Sequence, residues 1–130
     1  MTELSITMNA DNSLVEKFLS FLMKELSVNP KVIGVASSDL SNEGCVGMCL
    51  DSDEDNFLIL VDESGRNLTE VFVTIAHEMV HVKQYMNENL GWFLDNRSDI
   101  PYYSRWWEQE AFKKSVEYVK KFAKEIKKCT

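Results

Sequence analysis

The stretch Val71-Phe72-Val73-Thr74-Ile75-Ala76-His77-Glu78-Met79-Val80-His81-Val82 decides how this chain reads. Val71, Ile75, Met79 and Val82 recur at three- and four-residue intervals, the period of a helix that buries one face. We expect that helix over Leu68 to Asn89, with Gly91 as its stop. Residues four apart on a helix stand one turn above each other, so the rings of His77 and His81 can grip a single ion from the same side. Glu78 follows the first histidine and is rotated off the ligand line. From there it can lean toward a water on the ion and act as its general base.

The chain has two histidines in 130 residues and both lie in this pattern, while Met79 and Val80 between them are apolar, as in a helix packed inside a domain. A pair of core histidines is the competing reading of the same residues. A catalytic zinc needs a third protein ligand, and no histidine remains. Cys45 and Cys49 are chemically able to serve. Downstream, Trp106-Trp107-Glu108-Gln109-Glu110-Ala111-Phe112 offers two carboxylates at the start of a last helix. Its apolar stripe runs through Phe112, Val119, Phe122 and Ile126, and four residues back from Phe112 stands Glu108. A carboxylate on a core-facing stripe is costly unless paired or metal-bound, so Glu108 is the expected third ligand. Glu110 falls among Lys113, Lys114, Lys121 and Lys124, and is expected to form a surface pair with Lys114.

These residues resemble the zincin metallopeptidases of the gluzincin type, with two histidines on one helix and a glutamate on a following one. Glu108-x-x-Ala111 is similar to the glutamate-x-x-small signature of thermolysin-like and ImmA-type peptidases, and departs from it at Phe112, where an acid or amide is common. His77 to Tyr85 with Trp107 to Ala111 is also similar to small metallopeptidase-like proteins of bacteriophages and bacteria. The resemblance covers about the second half of the chain. It implies a minimal zincin-like domain, zinc held by His77, His81 and Glu108, and hydrolysis of a peptide or protein substrate. A tyrosine or arginine facing the metal then stabilises the oxyanion. Tyr103 is the candidate, with Tyr102 and Arg105 beside it. A non-catalytic metal-binding or interaction module on the same fold, for example a phage protein engaging a host factor, is the alternative, although a purely structural site needs no Glu78.

Outward from the motif, the chain reads as α+β. Asp11-Asn12-Ser13 can cap a helix carrying Leu14, Val15, Phe18, Leu19, Leu22 and Leu26, ending before Asn29-Pro30. Lys31–Ala36, Cys45–Leu50 and Phe57–Val61 read as a small, mostly antiparallel sheet of about three strands, Phe57–Val61 being the candidate edge beside the metal helix. A peptide could add to such an edge. Asp51-Ser52-Asp53-Glu54-Asp55-Asn56 has the alternating acids of a calcium loop but lacks its glycine and distal glutamate, so it reads as a solvated turn. Leu90 to Tyr103 reads as aromatic and irregular, with Trp92, Phe93, Trp106 and Trp107 as core or as cleft walls. A long helix follows from Arg105 or Trp106 to Lys128.

Residues 1–130 suit one domain around one core. Hydrophobic residues make up 45% and charged ones 27%, the balance of a soluble globule. The net charge of −7 argues against nucleic acid, whose phosphates select lysine and arginine. No apolar run is long enough to cross a membrane, and the N-terminus lacks signal-peptide features. Three cysteines, Cys45, Cys49 and Cys129, give no disulfide framework; a cytoplasmic location is expected.

Overall fold

A computed structural model of the chain describes residues 1–53 and 55–128, apart from the side chain of Lys128. Glu54 of the acidic turn and Cys129 lie outside the described residues. Four stretches form strands: Glu3–Thr7 (β1), Val32–Ser37 (β2), Gly47–Asp53 (β3) and Asn56–Val61 (β4). Ile33 and Val35 on β2 and Phe57, Ile59 and Val61 on β4 are buried, the every-second-residue pattern of a sheet with one covered face.

The sheet order is β1-β2-β4-β3, with β1–β2 and β2–β4 parallel and β3–β4 antiparallel. This corrects two expectations. The sheet has four strands and is mixed, because β1, with only Leu4 and Ile6 as apolar residues, is too short to announce itself before a partner is known. Phe57–Val61 is not an edge, since β4 pairs on both sides. The strands at the two edges are β1 and β3. At the β3–β4 turn Asp53 acts as a local hydrogen-bond acceptor, taking the amide of Asp55 and the side chain of Asn56.

Helix α1 (Asn12–Leu26) starts where the Asp11 carboxylate accepts from the amides of Ser13 and Leu14, and it stops at Ser27 in the left-handed conformation. Helix α2 (Leu68–Asn87) opens with a capping box, Asn67 accepting from the Glu70 amide while the Glu70 carboxylate accepts from the Asn67 amide. It ends at Asn87, two residues short of the expected Asn89, with Glu88 as its cap. Asn89 then takes φ 58°, a conformation asparagine tolerates, and turns the chain directly into helix α3 (Leu90–Asn96). The stretch read as irregular therefore contains a helix, which Gly91 and the crowded aromatics obscured. A 3₁₀ turn at Tyr102–Ser104 leads into helix α4 (Trp106–Lys128).

Phe18 of α1 stacks on Phe72 of α2 with ring centroids 4.6 Å apart, and Phe122 of α4 lies 4.9 Å from Phe18. Each such ring contributes about 1.5–3 kcal/mol by burial. Together they fix α4 against α2, so that the first turn of α4 lies across the two histidines. Among the described residues, no helix is long and apolar enough to cross a membrane.

Candidate metal centre

His77, His81 and Glu108 are all buried, and one donor atom of each lies within 4.8 Å of the others. His77 Nε2 is 2.9 Å and His81 Nε2 3.3 Å from Glu108 Oε1, and the two rings stand nearly perpendicular with centroids 4.9 Å apart. The Tyr102 hydroxyl donates to the same oxygen at 3.1 Å. A tetrahedral ion with bonds of about 2.0–2.1 Å would hold its donors about 3.3–3.4 Å apart, and the two histidine–Glu108 distances need to open by no more than a few tenths of an ångström to meet that spacing. The group can hold a metal ion.

The tautomer of His81 strengthens the fit. Gln84, wholly buried at 0% exposure, gives its Nε2 to Trp107 O at 3.0 Å and Glu110 Oε1 at 3.1 Å, both acceptors, so its Oε1 is left to face His81 Nδ1 at 2.7 Å. Only a donor satisfies that oxygen, so Nδ1 carries the hydrogen. In the neutral ring Nε2 then presents a lone pair to a carboxylate oxygen, an arrangement stable only with a second proton or a cation between them. Burial alone would lower the His81 pKa, but the Glu108 carboxylate outweighs it and raises it. Burial likewise would raise Glu108, yet the hydrogen bonds from His77 and His81 hold it well below the usual carboxylate range. This is a compact site demanding positive charge.

Glu78 sits beside it. Burial raises its pKa despite the neighbouring histidines. Gly47 on β3 lies directly over this carboxylate: a Cβ there would come 2.5 Å from Thr74 Cγ2 and 3.1 Å from Glu78 Oε2. Glycine is therefore what allows the edge strand to approach the helix.

Two clefts meet here. One of about 250 Å³ is lined by Met48, Cys49, Tyr85, Leu90, Leu94 and Trp107; the other, of about 650 Å³, by Val46, Arg66, Val73, Thr74, Tyr103 and Phe112. Cys45, Gly47, His77, Glu78 and Tyr102 line both. Burial raises the Tyr85 hydroxyl to about 12, so it stays protonated.

The sequence-derived trio and Glu78 are thus brought together. Tyr103 is not among the groups that reach the centre: it is 79% exposed on the outer wall, while Tyr102, 44% exposed, makes the contact with Glu108. Arg105 is turned away, donating to the carbonyls of Ile100 and Ser98. Glu110 does not spend itself on a surface pair with Lys114; it bridges to α2 through Lys83 Nζ at 3.0 Å and Gln84. Cys45 and Cys49 are free thiols on the cleft wall, outside the ligand trio. The buried stripe of α4 runs through Trp107, Glu108, Ala111, Ser115 and Phe122, one step round from the predicted one, and Phe112 is half-exposed with its ring against the edge of His77. Sequence reasoning missed Gln84 and Gly47. The signal for Gln84 was present: a neutral amide three residues past His81 on the buried side of the helix.

In comparisons with known proteins, no family model, no curated protein and no solved structure matches the chain.

Proposed function

We propose that this protein is a zinc-dependent hydrolase of the zincin type, cleaving a peptide bond, with His77, His81 and Glu108 as the metal ligands. The observation that carries the reading is the position of Glu78, a buried carboxylate one residue past His77 that lines both clefts and stays out of the trio. A site that served only to hold the fold would need no such group.

Two imidazoles and a carboxylate suit zinc, which supplies a Lewis acid and makes a coordinated water more acidic. Glu78 takes a proton from the attacking water as its oxygen bonds to the carbonyl carbon. It returns a proton to the amine nitrogen as the C–N bond breaks. Its raised pKa suits both tasks, since a carboxyl nearer neutrality holds and releases a proton more evenly. Tyr102 presents its hydroxyl at the junction of the two clefts and takes the oxyanion role first considered for Tyr103. It remains a hydrogen-bond donor because burial, then the Glu108 carboxylate, raise its pKa.

The outer edge of β3 runs past Glu78, so an extended peptide would pair with its backbone and lay side chains into the clefts on either side. The free thiols Cys45 and Cys49 suit a reducing cytoplasm. Purified protein should carry about one zinc per chain, lost in His77→Ala and in His81→Ala. Glu78→Gln should keep the zinc and stop cleavage of a peptide library. Cleavage at close to the wild-type rate in Glu78→Gln would exclude the mechanism, and a wild type that takes up no zinc would exclude the site.

A further inference from the structure

We infer that Gln84 is the positioning residue of the metal centre: it locks His81 in the tautomer that offers Nε2, and ties the segment carrying Glu108 to the helix carrying the histidines. The inference rests on the metal reading above but makes a claim of its own about a side chain that touches neither ion nor substrate.

Three contacts carry it. The amide oxygen faces His81 Nδ1 at 2.7 Å, and the amide nitrogen reaches Trp107 O, the carbonyl immediately before Glu108, at 3.0 Å. The same nitrogen reaches Glu110 Oε1 at 3.1 Å, and that carboxylate is held in turn by Lys83 Nζ. A glutamine with no exposed surface must satisfy its polar atoms internally or destabilise the fold. Here every one of its partners leads to a ligand: the ring of one, and for another the carbonyl just before it and the side chain two residues after it. A metal-binding imidazole commonly donates its remote N–H to a neighbouring acceptor, which fixes ring orientation and makes the ligating nitrogen more basic. On this chain the acceptor comes from the metal helix itself, three residues beyond the ligand, and Phe112, where an acid or amide might stand, is half-exposed and offers none.

The network has a direction. Glu110 and Lys83 hold the Gln84 amide so that its oxygen points at the ring, and an amide flipped by 180° would set Nε2 against the Nδ1 hydrogen and Oε1 against two acceptors. Glu110, expected as a surface charge, thus keeps the amide in register.

The experiment measures zinc affinity by chelator competition, together with the His81 imidazole ¹⁵N shifts of the zinc-free protein in alkaline solution, where that ring is neutral. Gln84→Met should bind zinc about 10- to 100-fold more weakly, and its His81 should populate both neutral tautomers where the wild type shows only the Nδ1–H form. The paired exchange Gln84→Glu with Glu110→Gln keeps an acceptor for His81 and turns one of the two facing acceptors into a donor, leaving only Trp107 O unmatched, and should bind zinc more tightly than Gln84→Glu alone, where both acceptors face the new carboxylate. A purely structural role would lower the melting temperature but leave zinc affinity, read well below melting, within about twofold, and that outcome overturns the inference. If Gln84→Met fails to fold, Glu110→Ala and the paired exchange decide it in the same assays. If the wild type binds no zinc, the metal reading fails, while the tautomer in the zinc-free protein still decides the role of Gln84.

Discussion

Replacing Gly47 with alanine tests the geometry at the smallest scale the site allows. The added Cβ would lie 2.5 Å from Thr74 Cγ2, against about 3.5–4.0 Å for carbon atoms in comfortable contact. The edge strand must therefore retreat from α2 by about 1 Å, and it carries the backbone that the substrate would pair with. Overpacking of this kind costs about 1–3 kcal/mol, so the melting temperature should drop by several degrees. Misplacing reacting groups by about 1 Å costs up to about 10²-fold in rate, so turnover on a peptide library should fall far more than the stability loss explains at a temperature where the variant is folded. Thr74→Ser supplies the control. It deletes the clashing methyl and keeps the hydroxyl that accepts from Arg66 Nη2 at 2.6 Å. In Gly47→Ala/Thr74→Ser the contacts with Glu78 remain, 3.1 Å to Oε2 and 3.4 Å to Cγ, and a shift of a few tenths of an ångström relieves them. Stability should largely return, with activity recovering in part. Full activity in Gly47→Ala alone, or no rescue of the melting temperature by Thr74→Ser, would refute the argument that a glycine is needed for strand and helix to meet at this point.

Other perturbations separate the roles of individual groups. Glu78→Gln should lower turnover by about 10²-fold or more with zinc content unchanged, read by metal analysis alongside cleavage. Tyr102→Phe should lower kcat by about 10²-fold with little change in KM, while Tyr103→Phe should leave both near wild type, because its ring faces solvent. Glu110 has its pKa raised by burial but more strongly lowered by its hydrogen bonds from Gln84 and Lys83, so the net shift is below the ordinary 4.5. Its contribution is therefore complete above the unfolded-state pKa and is lost as pH falls through the lower folded value; urea midpoints from pH 7 to 3 should show less acid loss in Glu110→Gln than in wild type. Phe122→Ala should cost about 3–5 kcal/mol in chemical denaturation, since it removes a ring packed between α1 and α2.

The buried trio able to hold a metal ion was far more legible in the sequence than the sheet around it. His77, Glu78 and His81 sit on one helix, where spacing along the chain is spacing in space. Glu108 could be reached because a carboxylate beside an apolar stripe is conspicuous, even though the stripe itself was read one step off through Phe112. The strand order was not accessible in that way. β4 follows β3 and pairs with it as a hairpin, but its second neighbour is β2, and no local pattern announces which earlier strand will dock. Tyr102 and Tyr103 are adjacent and identical in type, so only the 3₁₀ turn at Tyr102–Ser104 decides which of them turns inward. Gln84 and Glu110 looked like ordinary polar residues because their meaning lies in each other, 26 positions apart.

The insertion of β4 between β2 and β3 also governs how this chain can be made. As it leaves the ribosome, β2 appears with one flank satisfied by β1 and the other open, and it has to wait through the whole of β3 before its true neighbour emerges. A nascent chain stalled after Asp53 would display Val32–Ser37 as a bare apolar ribbon, ready to pair with the wrong strand or with another molecule. Closing the sheet requires β4 to dock between β2 and β3, a late and non-local event. Substitutions that weaken the turn around Asp53 and Asn56 should therefore lower soluble yield during synthesis more than they lower the stability of protein already folded.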